Sequence, residues 1–200
     1  MCRVDGAGGE CLAPGEMTLR QTGDDKVERS LVFGCTNPDQ TTSDGGWYRV
    51  FSLPAAGVTG GFGVTKVSLG ICFAVGTADG PTIGVKVGTY SGGATDTALD
   101  LAKVTPIKSA TTAIAPTQIS KVVDIPLQAS IPAGSNLIVE IDVPDLDGTG
   151  QQVNMGFSAS GEQKPGYVRS PLCGPAVPMT TSGAGLPNAH FVLTVTGTQQ

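Results

Sequence analysis

The chain has 200 residues with a formal net charge of −5, and only 14% of them are charged, against 40% hydrophobic. That length supports a single core without a metal or a disulfide, and the acidic balance without a basic cluster excludes binding driven by phosphate neutralisation. No apolar run approaches the ~20 residues of a membrane span, and 29 glycines with 14 prolines favour turns over helices.

Residues 1–27 are Gly-rich, carry mixed charge and lack sustained periodicity. They read as an extended arm with one short strand near 17–21, ahead of a single β-domain over 28–200. The opening residues have no apolar signal-peptide core and do not resemble a tag, so Met1 reads as the native start. The first core strand is predicted at 28–34, followed by a loop with Asn-Pro and Asp-Gly breakers.

Residues 46–75 read as two strands joined by a Pro/Gly loop in a hairpin. In the second, Val67, Leu69, Ile71, Phe73 and Val75 alternate with Lys66, Ser68, Gly70, Cys72 and Ala74, the period of a half-buried strand. A strand follows at 81–91, with Ile83, Val85, Val87 and Thr89 on one face. The stretch 99–109 contains Pro106, which marks an edge strand or a bulge. Another strand covers 119–128, again with an internal proline. Residues 136–143 place Leu137, Val139, Ile141 and Val143 together. Short strands at 152–159 and 167–170 precede a last one at 190–197, where Phe191, Leu193 and Val195 alternate with polar neighbours.

No window shows apolar residues at helical spacing. Eight or nine short strands separated by turn signals predict an antiparallel β-sandwich of jelly-roll type. The sparse charge leaves Thr, Ser, Gln and Asn to cover its surface.

The residues that could carry chemistry are few. His190 is the only histidine, which removes zinc sites built on two or more and makes any Ser-His or Cys-His catalyst depend on one residue. Asp142, Asp145 and Asp147 with Gly148 form a carboxylate-rich loop that could bind calcium through oxygen ligands. Its spacing is not that of an EF-hand, and a solvated turn is the competing reading. Glu140 and Asp142 fall about 6.8 Å apart on one strand face, within the roughly 5–9.5 Å of a glycosidase pair. Any i, i+2 pair of acids meets that criterion, so no catalytic residue is assigned. Trp47 and Tyr48 could stack on sugar rings or pack in the core. The five cysteines, Cys2, Cys11, Cys35, Cys72 and Cys173, lack metal-site spacing. Two disulfides with a spare thiol and five reduced thiols are both open, and an odd count permits a bond between subunits. Cys2 and Cys11 could close a loop in the arm or tie it to a neighbour. Cys72, opposite the large apolar set of its strand, is a candidate intersubunit thiol.

The runs WYRVFSLPAAGVTGGFGVTKVSLGI, IPAGSNLIVEI and YVRSPLCGPAVP…LPNAHFVLTVTG resemble a β-sandwich domain of secreted bacterial surface and accessory proteins, over residues 30–198. The resemblance implies a non-catalytic domain in an extracellular setting. It also implies a bond between the Cys preceding the aromatic strand and the late Cys, here Cys35 and Cys173. Such a loop would contribute about 4–5 kcal/mol in the chain-entropy model. Cys72, the Cys-bearing arm and the missing signal peptide depart from the family.

The expectation is a non-enzymatic structural protein without a cofactor, acting by assembly with copies of itself or other structural subunits. A virion decoration, capsid-stabilising or fibre subunit is its expected setting, on a virion surface or outside the cell. The alternative is a secreted accessory module that binds surface carbohydrate. Neither reading involves nucleic acid or membrane insertion.

Overall fold

The computed structural model describes residues 15–200. Among them the chain forms twelve strands and one 3-10 turn at Leu101–Lys103. The strands are β1 (Glu16–Leu19), β2 (Glu28–Phe33), β3 (Gly45–Ser52), β4 (Phe62–Val75), β5 (Thr82–Tyr90) and β6 (Val104–Ala113). They continue with β7 (Lys121–Ile131), β8 (Asn136–Val143), β9 (Gln152–Phe157), β10 (Gly166–Arg169), β11 (Met179–Thr180) and β12 (Leu193–Gln199).

Eight of these pair as one long hairpin rolled on itself. β5 pairs β6, β4 pairs β7, β3 pairs β8 and β2 pairs β9, all antiparallel. Rolling brings β5 against β8 and β4 against β9. Two sheets result, β2-β9-β4-β7 and β3-β8-β5-β6, which is the jelly-roll order. β12 lies along the first half of β4 and carries β1, while β10 and β11 extend the second sheet beyond β3. β1 belongs to the sheet, and Gln21 donates its Nε2–H to the Val50 carbonyl at 2.7 Å. The sandwich therefore begins inside the stretch read as an arm.

The core lies between the sheets. Val67, Leu69, Ile71, Val85, Val87, Leu137, Val139, Ile141, Phe191, Leu193 and Val195 all fall in one cluster. Each such side chain contributes roughly 1.5–3 kcal/mol on burial, so the alternation in β5, β8 and β12 is what drives the sheets together. A smaller cluster on the outer face of the second sheet gathers Tyr48, Val50, Tyr90, Leu99, Ile138 and Tyr167. β3 is thus buried on both faces.

Two expectations need correction. Residues 46–75 do not form a hairpin, because β3 and β4 lie in different sheets. The connection between them buries Leu53 and Val58, so it crosses over the end of the core. The alternation in β4 also fails at its end. The register against β7 shifts between Val64 and Lys66, and against β9 between Ile71 and Phe73. Each bulge moves the inward position by one residue, from Phe62 and Val64 to Val67, Leu69 and Ile71, then to Ala74. Phe73 is consequently half-buried and Val75 is 49% exposed.

β9 and β12 meet end to end along β4, and the crowding there selects glycine. Gly70 donates to the Val192 carbonyl at 2.9 Å, and Val192 donates to the Gly156 carbonyl at 2.9 Å. A Cβ on Gly156 would come within 2.6 Å of Val27 Cγ1 and 2.9 Å of the Gly70 carbonyl carbon. Gly156→Ala is expected to destabilise the fold by about 1–3 kcal/mol through overpacking. Urea unfolding measures it; an unchanged midpoint would show that the strands yield freely at this point.

Candidate functional site

The expected ligand aromatics are core residues. Trp47 is 6% exposed and meets Phe33, Phe157 and Phe191 edge-on at centroid distances of 5.9, 5.6 and 5.4 Å. Tyr48 is 1% exposed and donates to Glu140 Oε1 at 3.1 Å; burial and the neighbouring Glu140 charge push its pKa well above the usual phenol value. Tyr90 and Tyr167 are buried as well. No Tyr or Trp ring of the chain therefore offers a face to a sugar.

The three aspartates of the calcium expectation do not converge. Asp142 lies on β8 and accepts from Lys86 Nζ at 2.9 Å. Asp145 and Asp147 sit beyond the strand, where Asp145 accepts from Asn37 Nδ2 at 2.8 Å and from the Asp147 backbone N–H at 3.2 Å. Among the described residues no three His, Cys, Asp or Glu side chains are grouped to hold a metal. Glu140 and Asp142, the acid pair considered for glycoside hydrolysis, share Lys86 at 3.5 and 2.9 Å. Glu140 belongs to a row across the second sheet, Tyr167–Tyr48–Glu140–Lys86, while Asp142 stands between Gly46 and Gly84.

Cys35 and Cys173 are bonded, with Cα atoms 5.8 Å apart. Cys2 and Cys11 lie outside the described residues. Cys72 is a free thiol, 2% exposed, facing the Arg29 carbonyl at 3.9 Å. Burial pushes its pKa up, which disfavours the nucleophilic thiolate. Covered in this way, it does not offer the intersubunit thiol expected of it.

His190 belongs to a buried ionic group that periodicity did not reveal. Arg49, on the inner face of β3, is fully buried. Its guanidinium lies 4.4 Å from the Phe191 ring centroid and 3.0 Å from Glu162 Oε2. It donates to the carbonyls of Lys164 at 3.0 Å and Phe191 at 2.7 Å. His190 Nδ1 is 3.8 Å from the same Glu162 oxygen. Burial lowers the Arg49 pKa and the Glu162 carboxylate opposes that shift. The signal available in the sequence was a cation at the central position of Trp47, Arg49 and Phe51, a face otherwise apolar. Its partner sits 113 positions along in an irregular segment. Its buried guanidinium ties β3 to the 162–164 segment and to Phe191, and the Ser158 backbone N–H donates to the His190 carbonyl at 2.9 Å. A cleft between β1 and the end of β3, lined by Leu19, Arg20, Gln21, Val50, Ala56 and Lys164, has no cysteine, histidine or carboxylate in its wall among the described residues.

The edges of the sheets differ by side. β1 and β2, at one margin of the first sheet, have 4 and 6 residues, and β11, at one margin of the second, has 2. At the other side β6 has 10 residues and β7 has 11. Among the described residues each of these pairs a strand along one edge only. Pro106 and Pro126 both sit at register shifts, as expected of proline in an edge strand. Ile107, Ile119 and Val122 are about 40% exposed along this side.

No family model matches the chain, and neither does any curated protein. The sandwich and the Cys35–Cys173 bond agree with what the resemblance to secreted bacterial domains implies, whereas these comparisons give a bacterial secreted origin no support. Among solved structures, the chain is similar to infectious bursal disease virus Gx strain, at 11% identity and a TM-score of 0.33, over 92% of this chain and 35% of that one. It is also similar to the infectious bursal disease virus VP2 subviral particle, at 8% identity and a TM-score of 0.33, over 96% and 39%. The chain spans little more than a third of either.

Removing Glu162 would leave the Arg49 charge buried without its counter-ion. Glu162→Gln is expected to cost about 3–5 kcal/mol, read by chemical denaturation, with the double change Arg49→Met, Glu162→Leu recovering much of the loss. A second expectation concerns acid. Arg169 donates to both Asp44 oxygens at 2.8 Å and holds that carboxyl below its ordinary 3.8. Asp24 is held low in the same way by Ser158. A depressed carboxyl contributes stability that is complete above the unfolded value and is lost as pH falls through the folded one. Melting temperature should accordingly fall below about pH 4, and Asp44→Asn should make that fall shallower; an identical acid profile would remove Asp44 from the account.

Proposed function

We propose that the protein is a non-enzymatic structural subunit that works by assembling with further copies or other structural subunits. The observation that carries this reading is the asymmetry of the edges. An exposed edge strand is a template for pairing, and soluble domains blunt it by shortening or covering it. Here the strands at one side have two to six residues, whereas β6 and β7 together present 21. Exposed Ile107, Ile119 and Val122 on the same side add apolar surface for a partner to cover.

The setting we favour is a virion, as a decoration, capsid-stabilising or fibre-associated subunit. The charge-poor surface and the Cys35–Cys173 bond, which persists in an oxidising medium, support it. The jelly roll alone does not choose, because it serves capsid and lectin domains alike.

Sedimentation velocity over a dilution series tests the reading. Association that strengthens with concentration and survives reductant is expected, since the contact is non-covalent. A monomer persisting to about 100 μM would remove it, because no interface tighter than that would exist.

A further inference from the structure

We infer that the β6–β7 side docks on a second copy of this chain, at the pole formed by residues 36–44 and 144–150. This rests on the assembly reading above and names its two faces. These two features of one molecule are complementary in charge.

The β6–β7 side is cationic in an acidic protein. Lys103, Lys108 and Lys121 are exposed along it, and among the described residues no acid is seen to pair with them, whereas Lys26, Lys66 and Lys86 are all engaged in ion pairs. Asp124, the carboxylate of β7, is taken by Lys66 at 2.9 Å and by Ser68 at 2.6 Å. Between the lysines stand Ile107 and Val122, with Ile119 in the connection from β6 to β7.

The pole has the opposite character. Asp39, Asp145 and Asp147 are exposed there, and the carboxylates of Asp39 and Asp145 meet hydrogen-bond donors in place of cations. Asp39 accepts from the Gly148 backbone N–H at 2.9 Å and from the Thr41 backbone N–H at 3.0 Å. Asp145 accepts from Asn37, and Leu146 donates to the Thr42 carbonyl at 2.9 Å. These bonds lock two loops into one rigid knob, and they hold the Asp39 carboxyl below its ordinary value, with the Thr41 hydroxyl the largest cause. Val75, exposed at the end of β4 beside Gln152, supplies the knob with an apolar contact for Ile107 or Val122.

A lysine-bearing apolar edge on one copy and an aspartate-bearing knob on the next make a heterologous contact. Such contacts propagate into rings or filaments, which suits a shell or fibre component. Because the charges are exposed, the contact should weaken with salt.

A charge swap tests this. The variant Lys108→Glu, Lys121→Glu gives edge and knob the same negative sign; the variant Asp145→Lys, Asp147→Lys makes both positive. Each alone should sediment as a monomer where the natural chain associates. An equimolar mixture should recover association, since both contacts are then complementary in alternating order. Association of either variant alone at the natural strength, or a mixture that stays monomeric, would overturn the pairing while leaving assembly itself intact. A natural chain that never associates would overturn both. Should a reversed variant lose its melting transition, Lys108→Gln, Lys121→Gln takes its place, with association expected to weaken about tenfold.

Discussion

The buried guanidinium of Arg49 is the constraint around which the C-terminal third of the chain is arranged. An ion of this size taken out of water costs several kcal/mol unless its partners are well placed. Arg49 cannot escape the cost by losing its proton. Its partners come from two places far from β3 in sequence, the 162–164 segment and residue 191 at the entrance to β12. Both segments must therefore meet the inner face of β3 before the charge is satisfied. Once Phe191 is held there, its ring packs against Trp47, and residues 193–199 run directly alongside β4. One cation thus couples the two sheets and sets the entry point of the last strand. It offers specificity more than net stability, since an apolar group of similar shape could fill the space.

The rolled hairpin explains why β4 is the strand most burdened by irregularity. Its partners along one side are successive, β12 and then β9, while β7 runs along the other for ten residues. A 14-residue strand that must pair β7 on one side and two successive strands on the other shifts register twice. The bulges near Thr65 and Cys72 absorb the mismatch. The second turns Cys72 under β2, which explains the buried thiol without any redox role. The 2.8 Å pairs of Arg169 with Asp44 and the bond between Cys35 and Cys173 then fasten the end of the roll.

Much of this architecture was legible in residue order. β5 and β8 alternate without interruption, so their faces follow from side-chain period alone. Pro106 marked an edge strand because proline cannot donate to a ladder. What escaped depends on partners. A bulge is a relation between two strands, and no feature of 62–75 alone shows where the inward face will slip. The β3–β4 hairpin was misread because a nine-residue Pro/Gly connection suits a crossover as well as a turn, and only the burial of Leu53 and Val58 distinguishes them. Trp47 and Tyr48 favoured packing and still allowed ligand contact, since consecutive large residues point to opposite faces and only one of these can be the inner one. The structure resolves this with a second apolar cluster outside the sheet. Cys35 and Cys173 were paired by resemblance, as 138 intervening residues give spacing no predictive force. Glu162 escaped entirely, lying in an irregular segment whose role is defined by a charge elsewhere.

The distribution of charge completes the argument about the uncovered side. A chain with so few ionisable groups uses six of its cations in ion pairs of its own: Arg20 on Asp25, Lys26 on Glu28, Arg49 on Glu162, Lys66 on Asp124, Lys86 on Asp142 and Arg169 on Asp44. Among the described residues Arg29 and Lys164 stand apart without an ion pair, whereas Lys103, Lys108 and Lys121 gather along or beside β6 and β7. Lysine on an edge strand ordinarily serves to repel a second strand. That protection works against an identical edge, where like charges would meet, and it fails against an acidic surface. The same three residues thus discourage symmetric edge-to-edge pairing, which would lead to uncontrolled sheet growth, and leave open the approach of a rigid knob of opposite sign. Protection against one mode of association and selection of another come from a single set of side chains, and this lets a long open edge persist in a protein with little other charge to guard it.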